Sequence, residues 1–245
     1  MMRTPFTSSG PVTTVTRVTP RTALPPELPS LRLSEEHRAR THMLVSLLLD
    51  YPDAAWFRRL HALRDHLVGL PPEIRSPLIQ FIERAEREGE TSWQRLYVTT
   101  FDLKRKCSLY ISYYSTGDTR RRGTALVTFL EAYRAAGWEF DAADLPDYLP
   151  AVLEFSARSS SPIAGALIAS HREGVEVLRA ALEGLDSPWA LLIRVVTLSL
   201  PPIDARTRER FLDLVNEGPP TETVGLSFLG NLPTFATVMQ RGAAS

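Results

Sequence analysis

From residue 34 onward the apolar positions recur with the three-to-four-residue step of a helix, segment after segment. Ala39, Met43, Leu44, Leu47 and Leu48 form one stripe. Ser34 is placed to cap it, Glu35-Glu36 suit the positive end of its dipole, and Tyr51-Pro52 stops it. Asp53 opens a second stripe of Trp56, Phe57, Leu60, Leu63 and Leu67, closed by Gly69 and Pro71-Pro72. A third runs through Ile74, Leu78, Ile79, Ile82 and Ala85 to Gly89. From Thr91 the spacing predicts one long helix through Trp93, Leu96, Tyr97, Phe101, Cys107 and Tyr110 to Tyr114.

After a turn at residues 115–118, a helix carries Leu126, Phe129, Leu130 and Tyr133 to Gly137, and a shorter one carries Leu149, Val152, Leu153 and Phe155. Ser159-Ser160-Ser161-Pro162 reads as a joint. Helices are then expected from Ile163 to about Leu182, from Pro188 to Leu200 and from Asp204 to Val215. The stretch Trp189 to Leu200 is apolar nearly all round, which marks a helix buried on most sides. Strand-type alternation and βα alternation are absent. The expectation is an all-α protein with a single helical domain of about nine or ten helices over residues 34–216. Residues 1–33, with seven Thr, six Pro and four Arg, hold too little apolar surface to repay ordering and read as a disordered tail. Residues 217–245 read as irregular.

Composition narrows the function. Lys plus Arg and Asp plus Glu are 28 each, a balance that argues against a nucleic-acid binder. The single cysteine, Cys107, cannot pair internally, which fits a reducing compartment, and its spacing from Leu103 and Tyr110 suits a small buried hydrophobe. No apolar run is long enough to span a bilayer, and the first residues lack the features of a secretory signal. His37/His42 and His61/His66 are each five residues apart, on different sides of a helix, so they do not form a zinc pair; His171 stands alone. Phosphate-loop, dinucleotide and serine-hydrolase motifs are missing. Catalytic and metal-binding residues are therefore not expected, and the protein itself is expected to carry no cofactor.

The informative stretch is YVTTFDLKRKCSLYISYYSTGDTRRRG, residues 97–123, followed by LPDYLPAVLEF, residues 145–155. Both segments, with Leu47-Leu48-Leu49-Asp50-Tyr51-Pro52 ahead of them, resemble the NarJ family. This is the family of nitrate reductase molybdenum cofactor assembly chaperones, or nitrate reductase delta subunits, within the wider TorD-like group of redox-enzyme maturation proteins. The resemblance covers about residues 38–180. It implies an all-helical cytoplasmic chaperone that is not part of the finished enzyme. Its partner would be the N-terminal segment of the apo catalytic (alpha) subunit of respiratory nitrate reductase. The chaperone would hold that subunit for insertion of the molybdenum bis-guanine dinucleotide cofactor and delay its membrane attachment. Molybdenum cofactor biosynthesis proteins are further candidate partners. Tyr148 stands where members of the wider group often carry His.

Charge along this stretch is divided. Residues 93–123 hold seven basic and two acidic side chains, net +5, and residues 131–158 hold six acidic and two basic, net −4. The two segments either pair with each other or serve a partner helix that is apolar on one face and basic on the other. For the second reading the candidate partner-binding residues are Tyr97, Phe101, Asp102, Lys104, Arg105, Tyr110, Tyr114, Asp118, Arg121, Asp147, Tyr148 and Glu154. Carboxylates such as Asp147 and Glu154, two helical turns apart, would receive Arg or Lys. Asp147 is equally placed to be the N-cap of the helix that begins at Tyr148. The aromatics would line the groove or pack in the core.

Overall fold

The computed structural model describes residues 28–117, 120–141 and 144–200. Among these it is all-helical, with ten α-helices and, in place of any sheet, one isolated antiparallel bridge between Tyr110 and Tyr148.

The opening helices begin and end where side chains cap them. In α1 (Glu35–Leu48) the Ser34 hydroxyl accepts from His37 N–H, and in α2 (Ala54–Asp65) the Asp53 carboxylate accepts from Trp56 N–H at 2.7 Å. Pro72 starts α3 (Pro72–Glu88), and Gly89, at φ +76°, turns the chain directly into α4 (Glu90–Tyr97).

Beyond Tyr97 the structure departs from the expected long helix. The coil widens into a π turn over Val98–Asp102, tightens into a 3-10 turn over Arg105–Cys107, and regains α geometry only in the short α5 (Tyr113–Thr116). The cause is tertiary. Tyr114 Oη donates to Ser108 O and Lys106 O, which a continuous helix would have bonded internally. Residues 109–111 bond instead to residues 147–149.

Then follow α6 (Arg120–Ala135), α7 (Leu149–Arg158), α8 (Pro162–Ser170), α9 (Arg172–Glu183) and α10 (Trp189–Ser199). The single helix expected over 163–182 is thus two, broken at His171, whose Nδ1 lies 3.0 Å from Leu167 O. The expected helix at 204–215 and the irregular end lie outside the described residues.

The apolar α10 is the central post, packed against α1, α3 and α9, while α1 lies along α7. Trp189 on α10 meets Trp93 at 5.1 Å between ring centroids, and Phe81 packs edge-on against both. One boundary moves. Residues 28–33, assigned to the tail, are docked. Leu28, Leu31 and Leu33 pack against the core, Leu31 N–H donates to Leu198 O at 2.8 Å, and buried Arg172 donates to Leu28 O and Ser30 Oγ.

Candidate functional site

Four tyrosines from separate parts of the chain come together, Tyr97 buried and the other three at least partly exposed. Tyr51 follows α1, Tyr97 ends α4, and Tyr110 and Tyr148 are the two sides of the antiparallel bridge. Tyr51 stands edge-on to Tyr97 with ring centroids 5.4 Å apart, and Phe101 of the π turn lies 4.8 Å from Tyr97 on another side. The π turn is what places Phe101 there, because Phe101 also packs at 5.3 Å against Trp189. Tyr97 and Tyr148 bring their phenols together, and Tyr148 lies 5.4 Å from Tyr110. Tyr51 is 44% exposed, and Tyr148, Tyr110 and Phe101 are half-buried. Exposed Leu145 precedes the Tyr148 end of the row by three residues.

Carboxylates surround this row. Burial raises the Tyr97 phenol first, and the neighbouring Tyr148, Asp102 and Asp50 raise it further. Tyr148 is pushed up to about 12, chiefly by burial and then by Asp144, Asp50 and Tyr110, against an opposing hydrogen bond with Tyr97. The phenols are therefore neutral at any physiological pH. Tyr110 joins the two oppositely charged segments: its hydroxyl donates to Asp144 at 3.3 Å, and the Arg122 guanidinium lies 5.6 Å from its ring centroid. Neutral aromatic faces rimmed by Asp50, Asp102 and Asp144 suit a ligand that is part apolar and part cationic.

Of the residues expected at the partner site, Tyr97, Phe101, Asp102, Tyr110 and Tyr148 meet here. The others are elsewhere. Lys104 and Arg105 flank and open the 3-10 turn; Lys104 and Lys106 act on the Cys107 thiol, which burial nonetheless pushes up. Tyr114 is a strut whose Cβ sits 3.2 Å from where a side chain on Gly174 would begin. Arg121 is exposed on the first turn of α6, and Asp118 lies outside the described residues.

Asp147 and Glu154 do not share a face. Asp147 precedes α7 rather than belonging to it, has no exposed surface, and accepts from Ser112 N–H and Ser112 Oγ. It is not the N-cap either, since Tyr148 holds that position and makes no side-chain cap bond. Glu154 is exposed and paired with Arg158 at 2.7 Å, and Arg158 in turn lies over Trp138. An inward carboxylate at 147 is thus unavailable to a partner's cations; the carboxylates beside the tyrosine row are Asp50, which pairs with Arg59 at 3.2 Å, and Asp144, which accepts from Tyr110. Periodicity gave no sign of either, because both sit in short connections. Tyr51 stood out as a helix stop and as part of the family-like Leu47–Pro52 segment, not as a site residue.

A helical bundle with a partly exposed aromatic row bordered by carboxylates is suited to binding. Among the described residues no group of three or more His, Cys, Asp or Glu side chains could hold a metal ion, and no helix is long and apolar enough to cross a membrane.

The chain belongs to the NarJ family: the model of the nitrate reductase delta subunit family matches residues 64–193, more than half of its length. It is 31% identical over 170 residues to the probable nitrate reductase molybdenum cofactor assembly chaperone NarJ of Bacillus subtilis, covering 69% of this chain and 92% of that protein. Escherichia coli NarJ, also a nitrate reductase molybdenum cofactor assembly chaperone, is 29% identical over 153 residues, 61% of this chain and 65% of its own. The nitrate reductase-like protein NarX of Mycobacterium tuberculosis is 31% identical over 152 residues, and the match spans 62% of this chain but only 23% of NarX. The family is one of maturation chaperones, not of catalysts.

Proposed function

We propose that this protein is a cytoplasmic, system-specific chaperone for respiratory nitrate reductase. It binds the N-terminal segment of the apo catalytic (alpha) subunit and holds that subunit open to its molybdenum bis-guanine dinucleotide cofactor. It delays membrane attachment until the metal is in place, and it leaves before the enzyme is complete. The cofactor is the partner's cargo; this chain assists its insertion and keeps none. Proteins that synthesise the cofactor are further partners at the moment of insertion.

The observation that carries this reading is the tyrosine row between Asp50, Asp102 and Asp144 on a chain of this family. A segment folding into an amphipathic helix lays its apolar side on Tyr51, Phe101, Tyr148 and Tyr110. Its Arg and Lys meet the carboxylate rim, where charge-assisted hydrogen bonds fix the register. Tyrosine provides such a surface with large contact area at low entropic cost.

Isothermal calorimetry with a peptide of about 20 residues from the start of the alpha subunit, several helical turns long, tests it. One-to-one binding is expected. Tyr51→Ala and Tyr148→Ala should each weaken it about tenfold, as truncated interface aromatics do. A folded wild-type protein that binds no such peptide at any salt or pH refutes the proposal.

A further inference from the structure

Leu109–Ser112 and Leu145–Leu149 meet at the single antiparallel bridge between Tyr110 and Tyr148, and little backbone pairing holds them together. Leu149 N–H donates to Leu109 O at 2.7 Å and Ile111 N–H to Asp147 O at 3.0 Å. So short a ladder is marginal by itself in water. Asp147 adds a side-chain clasp across it: one oxygen, Oδ2, accepts both Ser112 N–H at 3.2 Å and Ser112 Oγ–H at 2.6 Å. Asp147 and Ser112 have no exposed surface, and the second carboxylate oxygen, Oδ1, has no hydrogen-bond partner. Burying a carboxylate with one oxygen unsatisfied is costly. It persists where the surrounding geometry is needed.

That geometry is the tyrosine pair. Tyr148 N–H donates to Leu145 O at 3.0 Å, so residues 145–148 form a turn in which the buried Asp147 directly precedes the half-buried Tyr148. Ser112, two residues from Tyr110, is the other end of the clasp. We infer that Asp147 is a positioning residue for partner binding: by gripping Ser112 it locks the two segments so that Tyr110 and Tyr148 stand side by side, 5.4 Å apart, on the docking face. This inference rests on the tyrosine row being that face. It assigns Asp147 a role through Ser112 and the tyrosines, with no contact to the partner.

The two ways in which Asp147 can matter give opposite results for one substitution. A single acceptor oxygen makes both bonds to Ser112, so the amide oxygen of Asp147→Asn retains them, while the charge is lost and an NH2 replaces the oxygen that has no partner. The experiment is calorimetry of the same alpha-subunit peptide with wild type, Asp147→Asn, Asp147→Ala, Ser112→Ala and the double alanine variant. It is run well below each melting temperature so that every protein is folded.

Asp147→Asn should stay within about threefold of wild type, while Asp147→Ala and Ser112→Ala each weaken binding about tenfold or more. The double variant should be no weaker than Asp147→Ala alone, because both remove one clasp. A Tyr110–Tyr148 ring contact, read by nuclear Overhauser effects, should persist in Asp147→Asn and fade in the alanine variants. General loss of stability would not give that pattern.

If Asp147→Asn binds as poorly as Asp147→Ala, the charge itself meets the partner and the inference falls. Full affinity in both single alanine variants also overturns it. If the wild type binds the peptide but not through Tyr148, the docking face is misplaced, and the clasp loses its purpose even where the ring contact behaves as stated.

Discussion

His42 on α1 has no exposed surface, and each of its ring nitrogens meets a serine from another helix. Nδ1 lies 2.9 Å from Ser156 Oγ on α7, and Nε2 lies 2.8 Å from Ser199 Oγ on α10. Ser199 spends its own proton on Val196 O, so it accepts from Nε2–H, and Nδ1 accepts from Ser156. This ring is a neutral pin through three helices. Burial, helped by the Arg38 guanidinium, lowers its pKa from 6.5 to about 3.

The unfolded chain takes up a proton below pH 6.5, and the folded one does not until about pH 3, so acid favours unfolding across that window. The stabilisation is whole above pH 6.5 and drains away as the pH falls toward 3. At ~1.4 kcal/mol per pH unit the full window amounts to roughly 5 kcal/mol, of which about 2 kcal/mol is gone by pH 5. Other groups titrate too, so the measurement is a difference. Urea unfolding followed by circular dichroism, at pH 7 and pH 5, compares wild type with the non-titrating His42→Gln. Wild type should lose about 2 kcal/mol more than the variant between the two pH values. Equal losses would refute the argument that a neutral buried His42 sets the acid stability.

Two other substitutions test the packing around α9. On Gly174→Ala the new methyl would start 3.2 Å from Ile111 O and from Tyr114 Cβ. The gain in helix propensity should lose to this crowding, for a net destabilisation of about 1 kcal/mol in thermal melts; a raised melting temperature would show that the 111–114 turn yields freely. Arg172→Met removes donors to Leu28 O, Ser30 Oγ, Thr197 O and Leu200 O, which tie the start of the described chain to the end of α10. Stranded buried acceptors should cost about 3 kcal/mol, and hydrogen exchange at Leu31, bonded to Leu198 O, should accelerate. Unchanged exchange there would sink the idea of a tether.

Where a helix starts and stops in this protein was legible wherever the signal is local. Ser34, Asp53 and Gly89 act within a few residues of themselves, and all three do in the structure what their side chains or backbone freedom predict, while Pro72, read as a helix stop, opens α3. The buried character of α10 was equally plain, since a helix apolar on every side has nowhere to go but the middle. The family was legible too, because residues 97–123 and 145–155 are unusual in composition.

The breaks within 91–114 and at His171 were not legible. No Gly or Pro marks either, and the apolar period runs straight through both. The first exists because backbone groups there find partners outside a helical ladder: Tyr114 Oη for the Lys106 and Ser108 carbonyls, and the 147–149 segment for 109–111; at the second, the His171 ring itself sits 3.0 Å from Leu167 O. The same holds for the site. Sequence put aromatics and carboxylates into one stretch, and it could not say which would face water. Asp147 turned inward because Ser112, 35 residues away, offers it two donors, while Tyr51, from the other end of α1, completes the outer row. Local propensity decided most helix starts of this protein; the breaks within 91–114, the choice of which polar groups to bury, and hence which surface remains for a partner, were made only when distant segments had to satisfy one another's hydrogen bonds.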